Sequence, residues 1–571
     1  MGVAGLTRFL EPYAVQCTSG DLKDYLAIID GPALAYHAYS LASTASGTRT
    51  PSYADVNASA IRWLKSLEEM DIKVSAILFD GALPSSKKGE RSKRLQQNVS
   101  RVLNYRSMNS TTACPIPRPL GSIIYPLLAP SLMETLSKSE FARIVRMVPG
   151  EADDWCAAAA QDSPRNIIFT SDSDLFLYEY PDDFLIMFFR DIKLWPTPEL
   201  KMYSPTNICK RMQLDNLTTL AFTIQEDSTR TTSQAIVTAR GIDVSDREYV
   251  DFTLRYVGKA KAPPHFHDHP EVWEVLHTLD ARVSEFMMQV LEGDTQSTPD
   301  VYLPLLLEDP LQGAAWKVGQ DIRLLAYSLL TGRQLLVREW KRKAQSVTGH
   351  THALYSSHDM ATYASELAET IKEWATSAAT VPTRQLPVQQ QWSLLVIRLC
   401  MDDLKAPNSA LLVRAVSGVF ETSWDNVHLT ARLQAGLYSL RMLQQCITIW
   451  LALNSGQAGT ELHNLISGLH EALMGMPSIQ KLFVVPGEEV TSSPEANARL
   501  LQAIKQTYAA SGVKDESFFA PPKSRRQKKR DKRSKKQEYR ARQESPGDES
   551  PQQELPQAMS NNAFAVLDQQ S

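Results

Sequence analysis

Three apolar segments in the first third of the chain end in an acidic residue. They are Tyr25–Asp30, Val74–Asp80 and Asn166–Asp172, and a fourth apolar run covers Phe184–Phe189. Strands buried on both faces of a parallel sheet read as continuous apolar runs. Asp55–Met70, between the first two segments, has the apolar spacing of a helix. The pattern predicts an α/β domain with a mostly parallel, twisted sheet.

The amino-acid composition of the rest of the chain divides it into three further segments. Residues 256–270 are rich in Pro and His, as a linker is, and close the α/β domain predicted for 1–255. Through 271–515 apolar positions recur at helical spacing, which predicts a large, mostly α-helical domain. Residues 516–571 are dominated by Pro, Ser, Gln and charged residues, a composition typical of a disordered tail.

Charge is unevenly distributed along the chain. The net charge is −4, yet Lys523–Arg542 holds twelve basic and two acidic residues. This run has three interpretations: a nuclear import signal, a nonspecific nucleic-acid tail, or solubilising charge. The first two are favoured, so we expect the protein in the nucleus, or in nucleus and cytoplasm.

Cysteine usage and hydropathy limit the classes of protein further. The six cysteines form no CxxC pair, which fits a reducing compartment better than a disulfide framework. No apolar stretch reaches membrane-spanning length, so we expect no membrane partner.

The acidic residues at the predicted strand ends indicate a metal site. The carboxyl ends of parallel strands meet at one edge of a sheet, where ligands bind. Crowded carboxylates repel one another unless a cation neutralises them, and oxygen ligands suit Mg²⁺ or Mn²⁺. The alternative is that some of these residues cap helices, as acids favour a first helical turn. The candidates are Asp30, Asp80, Glu151, Asp153, Asp172 and Asp174.

Several short motifs follow one another in a characteristic order and approximate spacing. They are Met1–Leu6, Ile29–Tyr36, Phe79–Lys87 with Arg94, Gly150–Asp154 and Thr170–Asp174. Together they resemble the motifs of the flap endonuclease/XPG (PIN-like) nuclease superfamily. Within it, the GEADD form and the segment Leu307–Leu330 are most similar to Asteroid-type XPG-domain proteins. The resemblance implies a PIN-like/XPG nuclease domain followed by the helical domain.

The resemblance also implies an ion-binding scheme. Asp30 and Asp80 would hold one Mg²⁺ or Mn²⁺ ion, and Asp172 and Asp174 a second. In this chemistry two ions about 4 Å apart activate a water and stabilise the leaving oxygen during phosphodiester hydrolysis.

Three further carboxylates take their roles from the same resemblance. Glu151 and Asp153 would lie between or beside the two ions, although relatives commonly carry Glu where this chain has Asp153. The seventh carboxylate of the family has its nearest counterpart in Asp227. Gln225 replaces the usual glycine there, and no glycine-rich hairpin for duplex anchoring follows.

Basic residues near the second motif match phosphate contacts of the family. Lys87 and Arg94 correspond to the pair that contacts the scissile phosphate and stabilises developing charge. Lys88, Arg91 and Arg101 would extend a basic stripe along a phosphate backbone. For Lys88 and Arg101, a solvated helix face is an equal alternative.

Two other positions are assigned to nucleic acid by resemblance. Tyr36 stands where relatives stack an aromatic ring on a substrate base, and packing in the core is the even alternative. The amino group of processed Gly2 would lie near the site.

Two functions follow from the sequence. The leading hypothesis is a metal-dependent, structure-selective nuclease acting on DNA, rather than RNA, in replication or repair. The alternative is a catalytically silent scaffold with the same fold, binding RNA or protein in post-transcriptional regulation. In either case the helical domain and the tail are candidate surfaces for protein partners.

Overall fold

The computed structural model describes most of the chain up to residue 513. The described residues are 3–109, 113–161, 165–195, 198–257, 260, 269–292, 297–331, 335–378, 381–488, 490 and 492–513. The described residues fall within one compact unit, 1–519. Most of the predicted Pro/His linker, the predicted disordered tail and Gly2 lie outside the described residues. Within the described part, no helix is long and apolar enough to cross a membrane.

A parallel five-stranded sheet forms the centre of the N-terminal part, as the sequence predicts. Its strand order is β4-β3-β2-β5-β6, and all four pairings are parallel. A small antiparallel sheet has the order β1-β8-β7. The strands are β1 Val15–Cys17, β2 Leu26–Asp30, β3 Lys73–Asp80, β4 Val145–Val148, β5 Asn166–Thr170, β6 Leu185–Phe188, β7 Ile192–Lys193 and β8 Glu199–Met202.

Helices cover both faces of the sheet. Neighbouring residues of β2 point to opposite faces, so Ile29 packs in one apolar cluster with Trp63 while Ile28 packs in another with Cys156. Burial on both faces is the reason that the strands are continuously apolar. The helices of this part are α1 Leu6–Leu10, α2 Gly31–Ala45, α3 Tyr53–Glu68, α4 Lys88–Met108, α5 Leu128–Leu136, α6 Ala152–Gln161, α7 Pro205–Met212, α8 Thr218–Glu226, α9 Thr232–Arg240 and α10 Arg247–Thr253.

The C-terminal part is mostly helical, again as predicted. Its longest helix, α19, is buried around most of its circumference. The helices are α11 Pro270–Leu276, α12 Ala281–Leu291, α13 Gln320–Leu330, α14 Ser357–Ala378, α15 Val381–Arg384, α16 Val388–Leu399, α17 Met401–Leu404, α18 Ser409–Ser417, α19 Trp424–Leu453, α20 Glu461–Leu473, α21 Ile479–Leu482 and α22 Pro494–Ala510.

A three-stranded sheet interrupts these helices. Strand β9 (Asp300–Tyr302) pairs in parallel with β10 (Leu336–Lys343), which forms an antiparallel hairpin with β11 (Ser346–Ala353). The hairpin is fixed to α13 by a fully buried ion pair, in which Arg323 Nε lies 2.6 Å from Glu339 Oε1. The sheet thus joins the helical part through polar as well as apolar contacts.

Candidate metal centre and nucleic-acid site

The aspartates at the ends of β2 and β3 lie at the same edge of the sheet. Asp30 ends β2, Asp80 ends the adjacent parallel strand β3, and Asp172 follows β5 on the other side of β2. A small cavity of about 100 Å³ opens at this edge. Its charged lining residues are Asp30, Asp80, Glu90, Glu151, Asp153, Asp172, Lys87, Arg91 and Arg94.

Two glycines allow the chain to turn away directly after the strand-end aspartates. Gly31 follows Asp30, and a Cβ atom at this position would lie only 2.7 Å from the carbonyl oxygen of Leu78. Gly81 follows Asp80, and a Cβ there would overlap the carbonyl oxygen of Val148. The repeated Asp-Gly pair therefore reflects close packing of neighbouring strands at the cavity.

Backbone amides at helix starts hold the first two aspartates. Asp30 is the N-cap of α2, where its Oδ1 accepts a hydrogen bond of 3.1 Å from the amide of Ala33. Asp80 Oδ1 accepts one of 2.8 Å from the amide of Ala152, at the start of α6. An anion is favoured at both places because helix N-termini carry unpaired N–H groups and positive partial charge.

Thr170 connects the carboxylates of β2 with those that follow β5. Its hydroxyl donates a hydrogen bond of 2.7 Å to Asp30 Oδ2 and accepts one of 2.9 Å from the amide of Asp172. Sequence reasoning missed this residue. The signal was the Thr-Ser-Asp-Ser-Asp run, in which a hydroxyl at the strand end directly precedes the acids.

Asp174 lies beside the cavity rather than on its wall. Its amide donates a hydrogen bond of 3.0 Å to Asp172 Oδ1, and its own Oδ1 accepts one of 2.7 Å from the amide of Val3. The N-terminal segment of the chain therefore reaches this acidic cluster. Gly2 lies outside the described residues, so its predicted role stays a prediction.

Burial and mutual repulsion disturb the ionisation of this cluster. Burial, and then the neighbouring Asp80 and Asp172, raise the pKa of Asp30 to about 7, against hydrogen bonds that lower it. Burial and Asp172 raise the pKa of Asp174 to about 6, and the pKa of Asp153 rises well above its usual value for the same reasons. The protein alone thus provides too little positive charge to keep all of these groups ionised.

Lys87 forms an ion pair with one of the acids on the cavity wall. Its Nζ lies 2.6 Å from Glu151 Oε1. Burial lowers the pKa of Lys87, but the neighbouring Glu151 and Asp153 outweigh that effect, so the pKa is raised overall. Lys87 therefore stays protonated and faces the carboxylates.

The donor set has the chemistry of a site for Mg²⁺ or Mn²⁺. The metal-binding atoms that the described residues bring to the cavity are carboxylate oxygens, and a divalent cation would relieve the repulsion that raises their pKa values. In the described part of the chain, no three Asp, Glu, His or Cys side chains already lie close enough together to hold an ion. The acidic side chains fit such an ion in donor type and charge, and they face one cavity. They do not already surround a single position in the described part of the chain.

The predicted basic stripe on α4 is only partly free in the structure. Lys88 pairs with Asp300 at 2.9 Å, and Arg91 pairs with Glu285 at 3.0 Å. Both acids belong to the C-terminal part and are buried. These two basic residues therefore fasten α4 to the C-terminal part, and their predicted contact with a phosphate backbone stays a prediction.

The other predicted contacts on and near α4 differ in their surroundings. Arg94 lines the cavity and pairs with Glu90 one turn earlier on the helix. Arg101 donates a weak hydrogen bond of 3.4 Å to the carbonyl oxygen of Leu120. Tyr36 is 52% exposed and is therefore not packed in the core. Tyr36 and Arg94 remain positioned to meet a ligand.

Asp227 lies away from the cavity. It ends α8, and its Oδ1 accepts hydrogen bonds from the amide and the hydroxyl of Thr229. These hydrogen bonds lower its pKa, and its side chain lies 3.6 Å from Arg230. The structure does not bring Asp227 together with the other acids, because Thr229 turns the carboxylate into a local loop contact.

A known sequence family matches the middle of the chain. The family model described as "XPG domain containing" matches residues 124–354. No curated protein matches the chain significantly. The matched segment includes strands β4 to β6 and the acids Glu151, Asp153, Asp172 and Asp174.

Solved structures with some likeness to this chain include two that are described as complexes with DNA. Human GEN1 in complex with Holliday junction DNA is 14% identical over 51% of this chain and 80% of that chain, with a TM-score of 0.31. The catalytic core of Rad2 in complex with a DNA substrate is 15% identical over 48% of this chain and 84% of that chain, with a TM-score of 0.28. The fold described above is a parallel five-stranded α/β sheet followed by a mostly helical part, and residues 124–354 of the chain carry the XPG-domain match.

Proposed function

We propose that this protein is a metal-dependent, structure-selective nuclease that hydrolyses phosphodiester bonds of DNA. One observation carries the proposal. Carboxylates from three strand ends and from the start of α6 surround one small cavity, with Lys87 and Arg94 on its wall. Oxygen ligands, buried excess negative charge and adjacent fixed cations are the composition that divalent-metal phosphoryl chemistry needs.

Each pair of acids has a proposed place around the ions. Asp30 and Asp80, fixed by helix N-termini, would hold one ion, and Asp172 and Asp174 a second. Glu151 and Asp153 would lie between or beside them. Bound ions of this kind supply a nucleophilic hydroxide and stabilise the leaving oxygen.

The remaining residues act on the substrate itself. Lys87 is protonated and would share its charge between Glu151 and a non-bridging phosphate oxygen, which stabilises charge that develops during the reaction. Arg94 can leave its exposed pair with Glu90 at little loss, because exposed ion pairs contribute about 0–1 kcal/mol. Exposed Tyr36 would stack on a base.

DNA is the proposed substrate because GEN1 and Rad2, the nucleases with some likeness, are described in complex with DNA. An Asteroid-type subfamily and a nuclear role in repair or replication are part of the same proposal. The basic run Lys523–Arg542 supports the nuclear location.

A second function is favoured by a separate observation. Lys88 and Arg91 are paired with buried acids of the C-terminal part, and Asp227 does not reach the cavity. A scaffold that keeps the fold but binds RNA or protein without cleavage needs neither a free basic stripe nor a complete set of acids.

Cleavage assays separate the two functions. The full-length protein, with Mg²⁺ or Mn²⁺, is offered flapped, nicked and single-stranded DNA, and single-stranded RNA. We expect the natural protein to cleave DNA. Asp172→Asn should abolish this cleavage, and Asp227→Asn, at a half-buried position away from the cavity, should leave it unchanged. The nuclease function would be refuted if all substrates stay intact with both metals, or if Asp172→Asn is as active as the natural protein. The scaffold function would then remain.

A further inference from the structure

Two tyrosines outside the sequence motifs lie against the acidic cluster. Tyr178 directly follows the short 3₁₀ turn Asp174–Leu177, and Tyr256 comes shortly after the end of α10. Their rings meet edge to face, with centroids 5.8 Å apart and planes at 85°. We call these two residues the tyrosine pair. Each of them contacts an acid that belongs to the cluster or adjoins it.

Tyr178 connects the two segments that carry acids of the cluster. Its hydroxyl donates a hydrogen bond of 2.7 Å to Asp154 Oδ1, in the first turn of α6. Asp153 is the preceding residue of that helix, and Asp174 begins the turn that ends just before Tyr178. The hydrogen bond therefore limits how far Asp153 and Asp174 can move apart.

The surroundings of Tyr178 keep its hydroxyl protonated, so that it is a donor. Burial, and then the charge of Asp154 and the hydrogen bond to it, raise the pKa of Tyr178 above its usual value of 10. A hydrogen bond to a carboxylate is stronger than one between two neutral groups. The contact with Asp154 can thus hold the first turn of α6 in place.

Tyr256 meets the other acid-bearing segment. Burial raises the pKa of its hydroxyl, and the charges of Asp174 and Asp172, with a hydrogen bond to Asp174, raise it further against the opposing charge of Arg255. Asp174 Oδ1 also accepts the hydrogen bond from the amide of Val3. Neutral donors from two distant parts of the chain therefore hold Asp174.

A row of aromatic rings connects Tyr256 with the helix that precedes Asp227. Tyr256 packs on Phe252 of α10 with ring centroids 5.3 Å apart, and Phe252 packs on Phe222 of α8 at 5.6 Å. Asp227 directly follows α8, yet its carboxylate bonds to Thr229 in its own loop. These helices therefore reach the acidic cluster through Tyr256 and not through Asp227.

A phenol suits this place better than another carboxylate would. Burial and mutual repulsion already raise the pKa values of Asp30, Asp153 and Asp174. A further carboxylate would add to that repulsion, whereas a tyrosine hydroxyl is neutral near neutral pH and still donates a hydrogen bond. Groups that hydrogen-bond to metal ligands orient them, and their loss weakens metal binding by about 10- to 100-fold.

We propose that Tyr178 and Tyr256 are positioning residues for Asp153 and Asp174, and that they take the place that Asp227 leaves open in this chain. The ions at these acids belong to the proposed function, on which this inference rests. Tyr178 acts through Asp154 and the first turn of α6, and Tyr256 acts on Asp174 directly. Both hydroxyls orient acids and touch neither ion.

Mn²⁺ binding by the full-length protein without nucleic acid tests the proposal, because it does not depend on cleavage. Electron paramagnetic resonance follows free Mn²⁺ during the titration. Tyr178→Phe and Tyr256→Phe keep the rings and remove one hydroxyl each, and we expect roughly 10-fold weaker apparent affinity in each variant. Tyr249→Phe is the matched control and should bind as the natural protein does. It removes a hydroxyl of α10 that bonds to Thr218 and Asn216 rather than to an acid.

Variants of Asp154 test the same hydrogen bond from the acceptor. They keep the test decisive if a tyrosine variant fails to fold, as judged by thermal melting. Asp154→Ala removes the acceptor, and we expect the same loss of roughly 10-fold in Mn²⁺ affinity. Asp154→Asn keeps an oxygen that can accept from Tyr178, and it should bind Mn²⁺ nearly as the natural protein does.

The outcomes separate this inference from the nuclease function. Natural Mn²⁺ affinity in Tyr178→Phe, Tyr256→Phe and Asp154→Ala would overturn the positioning role, even if their melting temperatures fall. Equal losses in Asp154→Asn and Asp154→Ala would also overturn it, because Asp154 would then act through its charge. Weaker binding by the variants of a protein that binds Mn²⁺ but cleaves nothing would refute the nuclease alone. A natural protein that binds no Mn²⁺ would overturn both.

Discussion

The hydroxyl of Thr170 lies 2.7 Å from Oδ2 of Asp30 and joins the ends of two neighbouring strands. The Thr170 hydroxyl oxygen also accepts a hydrogen bond from the backbone amide of Asp172. A single uncharged side chain thus contacts the carboxylate of Asp30 and the backbone of Asp172, two residues assigned to different proposed ions.

Replacing this hydroxyl should weaken the site without breaking the fold. Thr170→Val keeps shape but removes the donor, and we expect cleavage to fall ~10- to 100-fold, as for other groups that orient metal ligands. The hydrogen bond lowers the pKa of Asp30, so its loss raises that pKa and moves the acidic limb of the pH–rate profile to higher pH. Thr223→Val, a buried threonine of α8, is the control. If the acidic limb of the pH–rate profile does not shift in Thr170→Val, the Thr170 hydroxyl does not tune the pKa of Asp30.

Lys87 should contribute through its charge. Lys87→Met removes the partner of Glu151, and we expect cleavage to fall ~100- to 1,000-fold, the range for loss of one transition-state donor. Lys87→Arg should retain part of the activity because it keeps the charge. Exposed Lys93 provides the matched control, Lys93→Met. Single-turnover cleavage rates measure the effect. Equal losses of rate in Lys87→Met and Lys93→Met would show that the overall positive charge matters rather than the position of Lys87 at the cavity.

The buried ion pair of the hairpin predicts a pH-dependent stability. Burial raises the pKa of Glu339, but Arg323 and Lys341 outweigh it and lower the pKa to about 2, from its usual 4.5. The ionised group therefore stabilises the fold above pH 4.5, and this stabilisation is lost as pH falls towards 2. Glu339→Gln leaves Arg323 without its charged partner, which costs about 3–5 kcal/mol near neutral pH.

Thermal melting between pH 7 and pH 2.5 measures this difference. The gap in Tm between the natural protein and Glu339→Gln should narrow as pH falls below 4.5. Glu366→Gln, an exposed position on α14, should follow the natural protein throughout. A gap that stays constant with pH would show that packing, rather than ionisation, accounts for the loss.

Much of the N-terminal fold was predictable from local sequence. The runs that end at Asp30 and Asp80 are mostly apolar because both faces of the sheet are covered, so the sequence predicts both the strands and the acidic residues at their ends. Helix α3 spans Tyr53–Glu68, close to the predicted Asp55–Met70.

Long-range polar contacts could not be predicted in the same way. Strand β10 of the hairpin carries buried charged residues that pair with residues outside the hairpin, Arg342 with Glu308 and Glu339 with Arg323. Nothing local in the sequence shows that Lys88 meets Asp300 or that Arg91 meets Glu285, because these partners lie about two hundred residues apart. The sequence of a basic helix therefore does not show whether its basic side chains face solvent or pair with acids from a distant part of the chain.

Crystals of the full-length protein soaked in Mn²⁺ would show whether the acids bind metal, because anomalous scattering locates the ions themselves. We predict two ions at the sheet edge, one touching Asp30 and Asp80 and one touching Asp172 and Asp174, and neither ion in an Asp30→Asn/Asp172→Asn variant. An empty sheet edge at millimolar Mn²⁺, or ions bound only elsewhere, would contradict this prediction.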